Sequence, residues 1–208
     1  NDFLQIAVVD RWVKMLANVL QKHYPDLLIK RKPYRFIPTY DIDMAYAYKN
    51  KGLFRTVGGY LYHLRHWNIK ELKHRTLVLL NKRPDPFYTF DWLLQLQKHY
   101  DLLPIYFFLV GDYGTYDKNI SLDNLSFQNL IQSTNDHAQV GLHPSYASNR
   151  SNRLLSREIQ NLSEVLKKDI ICSRQHFIKL KIPETYQNLI ELDVRKDYTM
   201  GYASQIGF

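Results

Sequence analysis

Apolar residues recur at helical spacing over Leu4, Val8, Val9, Trp12, Met15, Leu16, Val19 and Leu20, which predicts an amphipathic first helix. Residues 35–40 then read as a strand running into Asp41-Ile42-Asp43. The stretch from Leu53 to about Lys82 reads as helical despite Gly58-Gly59, with Pro84 and Pro86 as punctuation after it. A helix over Tyr88 to Tyr100 turns Phe90, Leu93, Leu94 and Leu96 inward.

Pro104 to Val110 is apolar and aromatic on both faces, as a strand covered on both sides must be. A short helix over residues 126–135 follows, then a short strand at 139–143 and a helix at 149–168. A strand at 169–174, a helix at 183–192 opened by its proline, and a last strand at 195–198 complete the order. Helix and strand alternate with no tight hairpin signal. That order predicts an α/β fold of mostly parallel strands joined by helical crossovers: a distorted or incomplete (β/α) barrel, or an open sheet. Residues 1–34 form an N-terminal helical extension and 36–208 the barrel, in one catalytic-type domain that includes a helical insertion.

The 208 residues are enough for one domain with a full core, and 45% hydrophobic with 23% charged residues excludes a disordered chain. The single Cys172 excludes an intrachain disulfide and a zinc site built from several cysteines. A net charge of +8 is spread along the chain without a nucleic-acid motif, so no specific nucleic-acid partner is expected. The longest apolar run, Leu102 to Val110, is about half of what a membrane-spanning helix needs. Charged residues within the first helix are unlike a signal peptide, which favours the cytoplasm over export. The ends read as those of a fragment of something longer.

In folds of this class chemistry collects at the carboxyl ends of the strands, and Asp41, Asp43, Asp112, His143, Arg174 and Asp197 all end strands. Residues two apart in an extended chain share a face, so Asp41 and Asp43 can enter one pocket while Ile42 packs behind. Two close carboxylates need a cation, an arginine or a proton between them. The pair therefore suits a site where one binds metal and the other handles a proton, or else is a polar strand end. His143, just before Pro144, is placed either as a ligand or as a structural histidine. Arg174 and His176 again stand two apart, and an arginine in the pocket would hold a carboxylate in place. His63 and His66, three apart on a helix, read as surface histidines before they read as a metal pair.

The order of these motifs, from Phe36 to Phe208, resembles the NodB-type polysaccharide deacetylases, carbohydrate esterase family four. Thr39-Tyr40-Asp41-Ile42-Asp43 resembles that family's first motif, Tyr106 to Gly111 its Thr-Phe-Phe-x-x-Gly strand, and Gln139 to His143 its Glu-Ile-Gly-x-His segment. Ser173 to Phe177 stands where the family carries Arg-x-Pro-Phe or Arg-x-Pro-Tyr, and Asp197 to Gly201 resembles its fourth motif. The resemblance implies that Asp41 is the general base, Asp43 and His143 are metal ligands, Arg174 orients Asp41, and Asp197 tunes the acid. The family's second ligand histidine falls on Ala147 and its proline on His176. His176 either replaces the lost ligand or leaves a site without firm metal; Asp112 is a weaker substitute. The family's closing acid motif would lie beyond Phe208.

The expected activity is metal-dependent hydrolysis of acetyl groups, mainly N-acetyl, from a carbohydrate polymer or oligomer. Asp41 would take a proton from water activated by the metal, and the backbone N–H of Tyr146 or a neighbour would hold the oxyanion. Zinc is the simplest metal for Asp43, His143 and His176, with nickel, cobalt and iron also compatible. The alternative is a catalytically impaired barrel acting as a glycan-binding or scaffold domain.

Overall fold

The computed structural model describes residues 4–30, 33–202 and 207; Phe208, where the resemblance ends, lies outside them. The chain divides into two compact units, Asn1–Phe36 with Met200–Phe208, and Ile37–Thr199. The first contains helix α1 (Val8–His23). Among the described residues no helix is long and apolar enough to cross a membrane.

The second unit is built on strands β1 (Thr39–Ile42), β2 (Ile105–Phe108), β3 (Gln139–Leu142), β4 (Cys172–Ser173) and β5 (Lys196–Asp197). They lie in the order β1-β2-β3-β4-β5, and every neighbouring pair is parallel. Helices α2 (Gly52–Arg65), α3 (Ile69–Leu79) and α4 (Phe90–His99) connect β1 to β2. α5 (Leu125–Asn135), α6 (Asn152–Leu166) and α7 (Glu184–Glu191) make the next three crossovers in turn. Sequential order means that each crossover steps the same way, as around a barrel. β1 and β5 stay at opposite edges, so the sheet is not closed and the barrel is incomplete.

The sheet is nonetheless strongly curved. Arg174, one residue past β4, donates to Thr39 Oγ1 at 2.8 Å and to Asp41 Oδ1 at 3.0 Å in β1. Three strand spacings in a flat sheet measure about 14 Å, beyond the reach of one arginine side chain. The concave face therefore carries Ile105, Phe107 and Cys172, with Tyr198 packed against them. The convex face carries Tyr106, Phe108, Val140 and Leu142 against Phe127, Ile131, Leu155 and Leu162 of the helices.

Gly141 lies on the concave face of β3. A Cβ there would come within 2.7 Å of Cys172 Sγ, 2.8 Å of the Cys172 carbonyl oxygen and 2.8 Å of the Phe107 ring. Because one of these neighbours is backbone, relief needs strand movement. Gly141→Ala is expected to destabilise the protein by about 1–3 kcal/mol, read as a lower urea midpoint; an unchanged midpoint would show that the concave face is looser than this packing.

Two expectations are corrected. The helix expected from Leu53 to Lys82 is two helices, because Trp67 takes a left-handed φ of 52° and Asn68 starts a new one. The Asn68 side chain accepts the Glu71 N–H at 3.1 Å, a capping signal present in the sequence and overlooked. The strand expected from residue 35 begins only at Thr39.

Candidate metal centre

Three strand ends extend the concave face upward. The His143 N–H donates to the Phe108 carbonyl at 2.9 Å, Arg174 N–H to Leu142 at 3.0 Å and His176 N–H to Pro144 at 3.2 Å. Ladder-like bonding thus continues beyond β3 and β4, and alternation carries over with it. Asp41 and Asp43 follow Thr39 on one face, His143 follows Gly141, and Arg174 and His176 follow Cys172.

Asp43, His143 and His176 meet, each offering one ligand atom, and these atoms all lie within 4.8 Å of one another. His143 Nε2 is 3.2 Å from Asp43 Oδ1, and His176 Nε2 is 3.7 Å from Asp43 Oδ2. The imidazoles are buried, while the Asp43 side chain is 52% exposed, which leaves the group open to solvent on one side. Beside it, Arg174 forms its ion pair with Asp41 and also donates its Nε–H to the Tyr198 carbonyl at 3.0 Å.

The far nitrogens decide what the near ones offer. His143 Nδ1 lies 2.5 Å from the Arg174 carbonyl oxygen, which can only accept, so Nδ1 carries the proton. His176 Nδ1 lies 2.8 Å from Asp117 Oδ1, and an ionised carboxylate also only accepts. In neutral rings both Nε2 atoms therefore aim lone pairs at the Asp43 carboxylate. Three lone-pair donors facing one point repel unless a cation or added protons intervene. This donor set of one carboxylate and two imidazoles, each imidazole fixed from behind, could hold a metal ion.

Titration follows the same geometry. Hydrogen bonds from His143 and then His176 hold the Asp43 carboxyl well below the usual carboxylate range, against the opposing effect of burial. Burial pushes His176 down, but the Asp43 and Asp117 carboxylates outweigh it and leave its value raised. Protons and a metal cation compete for the same nitrogens.

Asp117 was not singled out from the sequence. Buried in the loop after β2, it accepts from the His176 ring and from the Tyr146 N–H at 2.9 Å. The loop is closed by Asn119, whose amide donates to the Gly111 carbonyl at 2.6 Å. Glu158 of α6 fixes the next loop, accepting from Ser145 N–H at 3.0 Å and Ser145 Oγ–H at 2.6 Å. Burial pushes the Glu158 carboxyl up.

Asp85 anchors the segment after Asp43. Its carboxylate accepts backbone N–H groups from Ala47 at 2.7 Å, Tyr48 at 2.9 Å, and Lys49 and Phe87 at 3.1 Å. Burial raises its value, but those four donors win and leave it lowered. A carboxyl lowered on folding stabilises the protein above its unfolded value of about 4, and the gain is lost as pH falls through the folded value. Asp85→Ala is expected to cost about 2–4 kcal/mol near neutral pH. The gap from the parent should narrow towards acid in denaturation at a series of pH values; a gap independent of pH would exclude the charge as its source.

Other candidates fall elsewhere. Asp197 is not brought to the group: β5 pairs Ser173 with Asp197, on the opposite face from Arg174 and His176. Its carboxylate accepts Ser173 Oγ–H at 3.2 Å, Thr199 N–H at 3.0 Å and Thr199 Oγ–H at 2.7 Å. Thr199 Oγ in turn accepts the Gln175 N–H at 2.9 Å, so Asp197 steadies the backbone between Arg174 and His176. Asp112, exposed, pairs with Arg157 and is no substitute ligand. The Tyr146 N–H expected at an oxyanion is committed to Asp117. His63 and His66 belong to no group able to hold a metal among the described residues.

No protein-family model matches the chain, and no curated protein matches it. Among solved structures it is similar to the crystal structure of a "putative polysaccharide deacetylase" from Mycobacterium smegmatis, at 14% identity and a TM-score of 0.46. The similarity covers 82% of this chain and 55% of that one, so the chain spans about half the length of that protein. What defines this molecule is an α/β class with a parallel, unclosed sheet and an Asp–His–His group able to hold a metal at its carboxyl edge.

Proposed function

We propose that the protein hydrolyses acetyl groups, mainly N-acetyl, on a carbohydrate, using a divalent metal held by Asp43, His143 and His176. The observation that carries this reading is the convergence of those ligand atoms beside a carboxylate, Asp41, paired with Arg174. The motif order that resembles the NodB-type deacetylases supports the same reading, with His176 taking the place left by Ala147.

When bound, the metal supplies Lewis acidity to water and to the acetyl carbonyl. The protein's own residues do the rest. Asp41 accepts the proton of the attacking water, and the Arg174 guanidinium orients that carboxylate. Asp117 and the Arg174 carbonyl hold the two imidazoles in the tautomer that turns Nε2 inward. The half-exposed Asp43 marks the side from which substrate enters.

The direct test is acetate release from a panel of N- and O-acetylated oligosaccharides, with and without chelator. Release that chelation abolishes and zinc, cobalt or nickel restores is the expected result. Release indifferent to chelation, or none with any metal or sugar, would reject the proposal. A non-catalytic glycan-binding barrel has less in its favour, because His176 offers a third ligand atom where Ala147 offers none.

A further inference from the structure

We propose that α2 and the turn after it form a docking face for an anionic lipid bilayer, on whose surface the protein lies without crossing it. The inference goes beyond the deacetylase reading and does not depend on it.

The amphipathicity of α2 is inverted. Around the helix axis Leu53, Leu64, Val57, Leu61 and Phe54 fall within an arc of about 100°. All five are exposed, Phe54 at 93%. An apolar stripe of that width on a surface helix ordinarily faces the core. Here the opposite side does the packing. Arg55 donates from Nη1 to the Asn119 carbonyl at 2.7 Å and from Nη2 to the Lys118 carbonyl at 2.8 Å. Tyr60 and Thr76 of α3 join through their hydroxyls at 2.8 Å. A Cβ on Gly59 would fall 2.5 Å from Arg75 Nη1, whereas one on Gly58, beside the stripe, would meet open space. The apolar stripe is thus left uncovered among the described residues, and Trp67, 84% exposed, and Ile69 extend it across the turn into α3. Contiguous exposed apolar surface of this kind marks a protein or membrane contact.

Charge decides between those occupants. Residues 44–83 hold nine lysines and arginines against one acid, Glu71, an excess as large as the net +8 of the whole chain. Arg65, Lys70 and Lys73 are exposed around the C-terminal end of the stripe. A second copy seated on this face would bring like charges together. An anionic headgroup layer instead attracts each cation while the acyl boundary beneath it takes up the apolar side chains. A tryptophan beside cations is a side chain suited to that boundary. The 14 residues of α2 make about 21 Å of helix against a hydrocarbon core of about 30 Å, so the helix lies on the bilayer.

The insertion leaves β1 at the carboxyl edge of the sheet, where the ligand group stands. Arg55 also grips the loop that carries Asp117, the partner of His176. Docking through α2 therefore sets the Asp–His–His group near the bilayer surface.

The test is co-sedimentation of the purified protein with phosphatidylcholine vesicles, made with and without about a quarter of phosphatidylglycerol. The parent should bind the anionic vesicles at least about tenfold more strongly, and high salt should remove most of that gain. Phe54→Glu combined with Leu61→Glu should weaken the binding at least about tenfold with the urea midpoint unchanged, because both side chains face solvent. Brominated acyl chains should quench tryptophan fluorescence in the parent and in Trp12→Phe, and the quenching should vanish in Trp67→Phe. Equal binding to neutral vesicles, binding untouched by the double substitution, or quenching carried by Trp12 overturns the proposal. A lower urea midpoint in the double variant does so too, since the stripe would then be packed. A parent that ignores vesicles but self-associates in analytical ultracentrifugation, with the double variant monomeric, would give the face to a second copy and reject the bilayer.

Discussion

An Asp41→Asn protein is expected to keep its fold and its capacity to bind metal and to lose the proposed acetyl hydrolysis by about 10²–10⁴-fold, the usual worth of a positioned general base. Asparagine keeps the shape and can still accept from Arg174 Nη1, which lies 3.0 Å from Asp41 Oδ1. It cannot take a proton from water at neutral pH. The comparison that matters is initial-rate acetate release beside metal content on the same preparations. Rate loss without metal loss supports separate roles for Asp41 and Asp43. Equal loss of both would mean that Asp41 belongs to the metal group, and an unchanged rate would remove it from the chemistry.

His176→Ala should weaken metal binding by at least roughly 100-fold, more than the 10–100-fold typical of losing an outer partner. Among the described residues the imidazole is one of three ligand side chains in the group, and its loss also leaves the Asp117 carboxylate with one donor there, the Tyr146 N–H. Competition with a fluorescent chelator measures the affinity, and far-ultraviolet dichroism shows that the fold survives. Unaltered affinity would return His176 to a structural role and leave Asp43 and His143 short of a third ligand.

Much of this site was legible because alternation in an extended chain is a local rule. Asp41 and Asp43, like Arg174 and His176, needed only a spacing of two and a strand to follow, and the structure places each pair on the concave face. His143 was legible from its place at a strand end before Pro144. The unclosed parallel sheet was equally legible, from helix and strand alternating without hairpins.

What the sequence could not place depends on register or on loops. The face on which Asp197 falls is set by the pairing of β4 with β5, about which residues 195–198 say nothing. Asp117 is aimed by Asn119 and by backbone contacts in an irregular loop, where no periodicity applies. The Tyr146 N–H could be offered to an oxyanion only while Asp117 went unnoticed. The break at Trp67 was missed because apolar spacing runs on across it, although Asn68 and Glu71 carried the signal.

The most direct test of the central claim is anomalous diffraction at the zinc edge from crystals of the protein soaked in zinc. The account predicts one strong peak within bonding distance of the Asp43 carboxylate and of Nε2 in both His143 and His176. A peak elsewhere, or none there with His176 still bound to Asp117, would contradict it.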